Sequence, residues 1–324
     1  MLIDTHCHLD AGEFDADRDE VVERARAAGV AMIVVPAIGA GNFAEVRALA
    51  HRHDNCCYAL GIHPMYVDRS ADEDLERLRG EVERSMSDPR FVGIGEIGLD
   101  HFVPGLDRDR QQRFLEFQLK LAREFELPAI LHVRRAQDQV LKHLRRHRPL
   151  TGIAHAFNGS LQQATMFADL GFALGFGGAF TFTRARQIRR LLRELPAHAH
   201  VLETDSPDIP PAWLMPARDA SGDHAPAGDA RADEVRADEV PADDALAIGR
   251  PAAAMPAAGS PARTAVPRNS LPRNTPAEVA GIARTFAELR ECGLETALQI
   301  TGANACRVLP RMGRLLQPAM RPQA

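Results

Sequence analysis

No run in this 324-residue chain approaches the ~20 consecutive apolar residues that a membrane-spanning helix needs, so none is expected. The opening residues, Met1-Leu2-Ile3-Asp4, lack both a basic n-region and an apolar h-region, which leaves a cytoplasmic location as the default expectation. Cysteine is sparse. Cys7, Cys56, Cys57, Cys292 and Cys306 are odd in number, contain no CxxC, and include a vicinal pair that disulfides rarely use. They read as reduced, mostly buried side chains. Positive charge is not in excess either: 39 Lys and Arg stand against 44 Asp and Glu, a net charge of −5. Broad nonspecific binding along duplex DNA, which depends on many cationic contacts to phosphate, is therefore not expected. A local basic patch at one cleft stays open, and no obligate protein partner is evident.

Aromatic residues are missing from one long stretch, with no Phe, Trp or Tyr between Trp213 and Phe286. Within it, from about 215 to 268, Ala, Pro, Asp, Gly and Arg dominate, and Arg231–Val235 is repeated directly as Arg236–Val240. So few large apolar side chains cannot offset the entropy of ordering. The stretch is expected to be a disordered insertion in the last βα-loop, with a short helix around Ala242–Ile248 as the local alternative.

The rest of the chain alternates short apolar runs with longer amphipathic ones. Strands are predicted at Leu2–Thr5, Met32–Pro36, Cys57–Ile62, Phe91–Glu96, Ala129–Val133, Gly152–His155, Phe172–Gly175 and Val201–Thr204. Between them fall helices at Arg18–Ala28, Phe43–Arg52, Leu75–Ser85, Gln112–Phe125 and Asp138–His147, and two more at Pro276–Glu291 and Glu295–Leu309 close the chain. Strand–helix alternation implies parallel strands with helical crossovers, and eight strands suit a closed (β/α)8 TIM barrel of the α/β class. The boundaries expected are a barrel core over 1–214, the insertion over 215–268, helices completing the barrel over 269–312, and a tail over 313–324.

His6 and His8 stand at i and i+2 where the first strand emerges, so they share a face that Cys7 does not. Such a pair alone is also compatible with a packed core. Four further strand ends carry polar, metal-competent side chains. Glu96 lies in the apolar run Gly93–Asp100, where an unpaired carboxylate is costly. His132 follows Ala129-Ile-Leu, His155 follows Thr151-Gly-Ile-Ala, and Asp205 follows Val201-Leu-Glu-Thr. Any one of these could be a structural charge, but six converging on one barrel mouth make a metal-binding pattern. Four imidazoles and two carboxylates suit one or two divalent ions such as Zn²⁺ or Mn²⁺. Structural zinc favours a closed, often cysteine-containing set, so a non-enzymatic zinc protein is disfavoured.

The stretches Ile3-Asp-Thr-His-Cys-His-Leu-Asp10, Gly61-Ile-His-Pro64, Gly95-Glu-Ile-Gly-Leu-Asp100 and Gln111–Leu119 resemble the TatD family of metal-dependent hydrolases. The resemblance continues through Leu131–Arg134, His155–Ser160, Leu202–Pro207 and Arg273–Pro276, and Arg134-Arg135 with Glu203–Asp208 resembles its YjjV-like branch. It covers residues 1 to about 309, interrupted by the insertion. It implies a metal-dependent deoxyribonuclease, exonuclease-like on single-stranded ends, with two divalent ions (Zn, Mn or Mg). His6, His8, Glu96 and Asp205 would hold one ion, and Glu96 would bridge to a second held by His132 and His155. Asp205 and Glu96 would be catalytic, His63 would contact the substrate phosphate, and Arg134 is an anion-contact candidate. DNA ends or a small phosphoester are the expected partners, and a metal-dependent amidohydrolase or esterase acting on a small metabolite is the alternative. Two features depart from the family pattern: His101 stands where an aromatic is frequent, and Phe157-Asn158 replaces the more usual Phe-Ser. The Arg-Asn turn occurs almost twice, at Pro267–Ser270 and Pro272–Thr275, and the second is favoured because Pro276 can start a helix.

Overall fold

The computed structural model describes residues 1–215 and 273–317. Almost all of the expected insertion, its alternative helix, the Pro267–Ser270 turn and residues 318–324 lie outside the described residues. Eight parallel strands run in chain order through one sheet: β1 (Leu2–Asp4), β2 (Val30–Pro36), β3 (Cys56–Leu60), β4 (Phe91–Asp100), β5 (Ala129–Arg134), β6 (Gly152–Ala154), β7 (Phe172–Phe176) and β8 (His200–Leu202). The sheet curls back on itself. Thr5 N–H donates to Leu202 O at 3.0 Å, and Cys7 bridges to Ser206 in parallel register, which brings β8 beside β1. The (β/α)8 barrel expected from the alternation is the fold.

Helices α1 (Arg18–Ala27), α2 (Phe43–Arg52), α3 (Glu73–Ser85), α4 (Arg108–Glu124), α5 (Gln137–Arg146), α6 (Leu161–Asp169) and α7 (Arg186–Glu194) form the crossovers. After the undescribed stretch come α8 (Val279–Leu289), α9 (Leu294–Val308) and α10 (Pro310–Leu316). The sequence pattern missed α6 and α7. Helix α7, RQIRRLLRE, buries only Leu191 and Leu192, too thin an apolar stripe to read by periodicity. Helix α10 runs four residues past the expected end of the helices at 312.

Two cores follow from strand alternation. Ile3, Met32, Val34, Cys57, Ala59, Val92, Ile130, Ile153, Ala173 and Val201 fill the barrel interior, and Ala305, Val308, Leu309 and Met312 of α9 and α10 plug its N-terminal end. The alternate positions, such as Ile33, Val35, Cys56 and Tyr58, face the helical ring. The vicinal Cys56-Cys57 pair thus belongs to two different layers, and all five cysteines are free thiols. With the bottom plugged, the barrel is open, among the described residues, at the end where the strands' carboxyl ends and the candidate residues lie.

Candidate metal centre

The strand ends present the polar residues in a narrow ring. β1 ends at Asp4, so His6 and His8 lie just beyond it rather than on a strand extending through them. Their backbone is still held extended: Cys7 N–H donates to Val34 O at 3.0 Å and His8 N–H to Ser206 O at 2.8 Å. Asp4 fastens this edge to the other side of the seam. Its carboxylate accepts from His6 N (3.3 Å), Thr204 N (2.9 Å) and the Thr204 hydroxyl (2.6 Å). Burial pushes the Asp4 carboxyl up to about 8, against those hydrogen bonds. Asp205 itself sits at φ 54, a left-handed conformation costly for a non-glycine residue. Its N–H donates to His6 O at 2.9 Å, and Asn274 Nδ2 grips the chain on both sides through Thr204 O (2.9 Å) and Asp208 O (2.6 Å). Neighbouring Arg273 is anchored on Asp17, the residue before α1, through both carboxylate oxygens, at 2.8 and 2.7 Å. The Arg273-Asn274 turn is therefore docked under the site.

Glu96, 1% exposed, is the hub. Its Oε2 lies 3.1 Å from His6 Nε2 and 3.4 Å from His8 Nε2, and those two nitrogens are 3.6 and 3.7 Å from Asp205 Oδ1. Its Oε1 lies 3.1 Å from His63 Nε2, 3.0 Å from His132 Nδ1 and 2.9 Å from His155 Nε2. Each carboxylate oxygen thus faces its own set of nitrogens. A tetrahedral ion with bonds of ~2.1 Å separates its ligand atoms by about 3.4 Å, so these spacings fit a divalent cation. Glu96 Oε2 is buried with no hydrogen-bond partner, as are Nδ1 of His6 and His8, and a cation would satisfy the carboxylate. The groups His6–His8–Glu96, His6–His155–Asp205 and His63–Glu96–His132 could each hold an ion.

Tautomers decide which nitrogens can coordinate. His132 Nε2 is 3.0 Å from Asp100 Oδ2 and Nδ1 is 3.0 Å from Glu96 Oε1. Both carboxylates accept, and against burial they raise the pKa of the ring; with a cation at Glu96 the Asp100 contact would keep the proton on Nε2 and leave Nδ1 to coordinate. His155 Nδ1 lies 3.7 Å from Glu203 Oε1, beyond hydrogen-bond distance, while its Nε2 faces Glu96 Oε1 at 2.9 Å. His63 is the opposite case. Its Nδ1 accepts from Met65 N–H at 3.1 Å, so in the neutral ring Nε2 carries the hydrogen. Burial pulls the His63 pKa down to about 4, outweighing Glu96, and keeps the ring neutral. His63 therefore offers the centre a hydrogen-bond donor and not a lone pair, despite its position among metal-competent groups.

The other charges follow from burial and proximity. Burial raises Asp205 to about 7, opposed by His155 and His8. Burial disfavours a charged Glu96, but His63, His155 and His6 overcome it and hold the carboxyl well below its usual range. His8, partly exposed, is lowered by burial yet carried up to about 9 by Glu96 and Asp205. Asp100 is raised by burial but brought down to about 2 by His132 and by the backbone N–H groups of Val103 and Phe102.

All six residues expected to bind metal, together with His63, come together at one mouth. Sequence reasoning passed over the groups behind them: Asp4, Asp100, Glu203 and Asn274. Asp100 ends β4, which runs four residues past the strand end expected at Glu96, and Glu203 follows β8 as Asp205 does, a readable signal. Two glycines make room. At Gly98, φ 153, a Cβ would run into His132 O, and at Gly175 it would meet the Glu203 carboxylate. Arg134 lies outside the ring, stacked 3.7 Å over the Phe102 ring, at the rim of a pocket that reaches His132, His155 and Asp205.

The chain resembles known proteins along most of its length. The family model described as TatD related DNase matches residues 3–310. The uncharacterised metal-dependent hydrolase YjjV of Escherichia coli K12 is 46% identical over 210 residues, covering 64% of this chain and 80% of that protein. Its crystal structure superposes with a TM-score of 0.73 at 33% identity over 95% of this chain and 98% of the other. A Pantoea protein named 3'-5' ssDNA/RNA exonuclease TatD is 32% identical over 219 residues, 66% of this chain and 81% of that one.

Proposed function

This chain is a member of the TatD family of metal-dependent hydrolases, and from that premise we propose that it hydrolyses phosphodiester bonds of DNA, trimming single-stranded ends. The observation that carries the proposal is Glu96, with one oxygen turned to each of two nitrogen sets. His6, His8, Glu96 and Asp205 would hold one divalent cation, and Glu96, His132 and His155 a second, drawn from Zn²⁺, Mn²⁺ or Mg²⁺. Such cations, when bound, lower the pKa of water toward ~7 and offset charge on phosphoryl oxygens.

The chain's own groups supply the rest. Asp205, brought to about 7 by burial, orients the attacking water and takes its proton. His63 holds an Nε2–H toward the same space, a donor for a phosphoryl oxygen. Arg134 stands ready for a further anion at the rim. Cys7, between His6 and His8, does not compete for the role of nucleophile: it is fully buried, with Sγ 3.1 Å from Ser206 Oγ, and burial pushes its pKa well above the usual value. The net charge of −5 suits a site that grips a terminus over one that wraps a duplex. The Pantoea relative's name supports an exonuclease.

The same donors can hydrolyse an amide or ester of a small metabolite, because the fold does not fix the substrate. The deciding experiment sets 3′-labelled single-stranded DNA beside a panel of N-acyl amino acids and esters, using metal-reconstituted protein. Cleavage of the DNA supports the proposal. Turnover of an amide with intact DNA overturns it. Asp205→Asn is expected to abolish turnover while part of the metal is retained, and full activity in that variant would refute the role given to Asp205.

A further inference from the structure

Beside the metal-competent ring opens a pocket of about 140 Å³. Its walls include Phe157 just after β6, Phe176 at the end of β7, Phe180 beyond it and Ile188 of α7, and it reaches His155 and Asp205. Cavities of about this size take a single aromatic ring, so a base pair has no place in it. At the rim, Arg134 and Arg135 both lie over the Phe102 ring, at 3.7 and 4.6 Å from its centroid. Arg134 is half-buried, and neither guanidinium makes a salt bridge to a carboxylate among the described residues. A largely apolar box for one flat ring, two guanidiniums without a salt bridge among the described residues at its edge, and a hydrolytic centre at its end are complementary to one chemical unit. That unit is an unpaired nucleotide, with its base in the box and its phosphate between the arginines and the centre.

We propose that this pocket binds the base of the terminal, unpaired nucleotide, and that the Phe102–Arg134–Arg135 stack steers that nucleotide's phosphate. The proposal rests on the phosphodiesterase reading and deepens it. It makes single-strand selectivity a matter of pocket size: a base still paired with its partner cannot enter. It also makes Phe102 a positioning residue, because its ring holds both guanidiniums in place.

The test compares three substrates with the metal-reconstituted full chain: a single strand with a normal 3′ end, the same strand with an abasic 3′-terminal nucleotide, and bis(p-nitrophenyl) phosphate. Wild type is expected to cleave the abasic end about 5- to 150-fold less efficiently in kcat/KM, the range for loss of one stacked base. Ile188→Trp, filling the pocket from α7, is expected to slow the normal strand to the abasic rate and leave cleavage of the abasic strand itself unchanged. Metal content and Tm report that the variant is folded. Arg134→Gln is expected to raise KM for DNA with kcat little changed, and Arg134→Lys to recover part of the loss. Equal cleavage of normal and abasic ends, with the small diester still hydrolysed, overturns the pocket and leaves the phosphodiesterase reading standing. Failure to hydrolyse either DNA or the small diester overturns both.

Discussion

Replacing Asp100 with asparagine isolates a single proton in the centre. Asp100 Oδ1 accepts from the backbone N–H of Phe102 (2.8 Å) and Val103 (2.9 Å), and Oδ2 accepts from His132 Nε2 at 3.0 Å. In Asp100→Asn the amide oxygen stays with the two backbone donors, since giving them up would leave buried N–H groups unpaired. The amide NH2 then faces His132 Nε2–H, donor against donor. The imidazole escapes only by moving its proton to Nδ1, the atom that sits 3.0 Å from Glu96 Oε1 and would bind the second cation. Loss of such a supporting carboxylate costs roughly 10–100-fold in metal affinity, about 1.4–2.7 kcal/mol. Calorimetric titration of the metal-free protein with Zn²⁺ or Mn²⁺ is expected to show one binding event unchanged, at His6, His8 and Asp205, and one weakened by that factor. Two unchanged events would refute the tautomer argument. Equal weakening of both would refute the division of Glu96 between two sets.

Two further outcomes follow from the same geometry. His63→Ala is expected to keep the metal content of wild type and to lose about 10²–10³ in kcat, because it removes a donor and not a ligand; loss of one ion per chain would reverse that assignment. His200 tests the fold well away from the centre. It is buried between Phe176 and Phe286, and burial, with Arg290 and His198 nearby, holds its pKa at about 4 against an ordinary 6.5. A depressed folded-state value means its contribution is complete above pH 6.5 and is lost as pH falls toward 4. Between pH 7 and 4.5 that loss is about 2–3 kcal/mol. Urea unfolding of wild type and His200→Gln at both pH values is expected to show the excess acid lability in wild type alone, and parallel losses would contradict it.

Much of this molecule was legible because β-strand alternation and the barrel architecture put chemistry at predictable places. His132 and His155 each follow an apolar run, Glu96 interrupts the apolar strand β4, and Asp205 comes three residues after β8; a polar, metal-competent side chain in such a place is visible in one dimension. His6 and His8 were legible for another reason, their i, i+2 spacing, even though β1 stops at Asp4 and the extended pairing of Cys7 with Ser206 does the holding. What one dimension hides is partnership. The proton on His132 is set by Asp100, 32 residues away, and the grip on Asp205 comes from Asn274, which clasps carbonyls of residues 204 and 208 from across the undescribed stretch. His63 shows the same limit from the other side. Its place in a Gly-Ile-His-Pro turn is readable, but its tautomer depends on a backbone N–H two residues on that only the turn geometry brings to Nδ1. Helices α6 and α7 escaped because short, Arg-rich or polar helices bury few residues, so their periodic signal is weak.

The central claim, two divalent cations sharing Glu96, is tested most directly by elemental analysis of the purified protein after saturation with Zn²⁺ or Mn²⁺ and removal of excess ion. Two ions per wild-type chain are expected, falling to one or fewer in Glu96→Gln. A single ion per wild-type chain at saturation, or two ions retained in Glu96→Gln, would contradict the account.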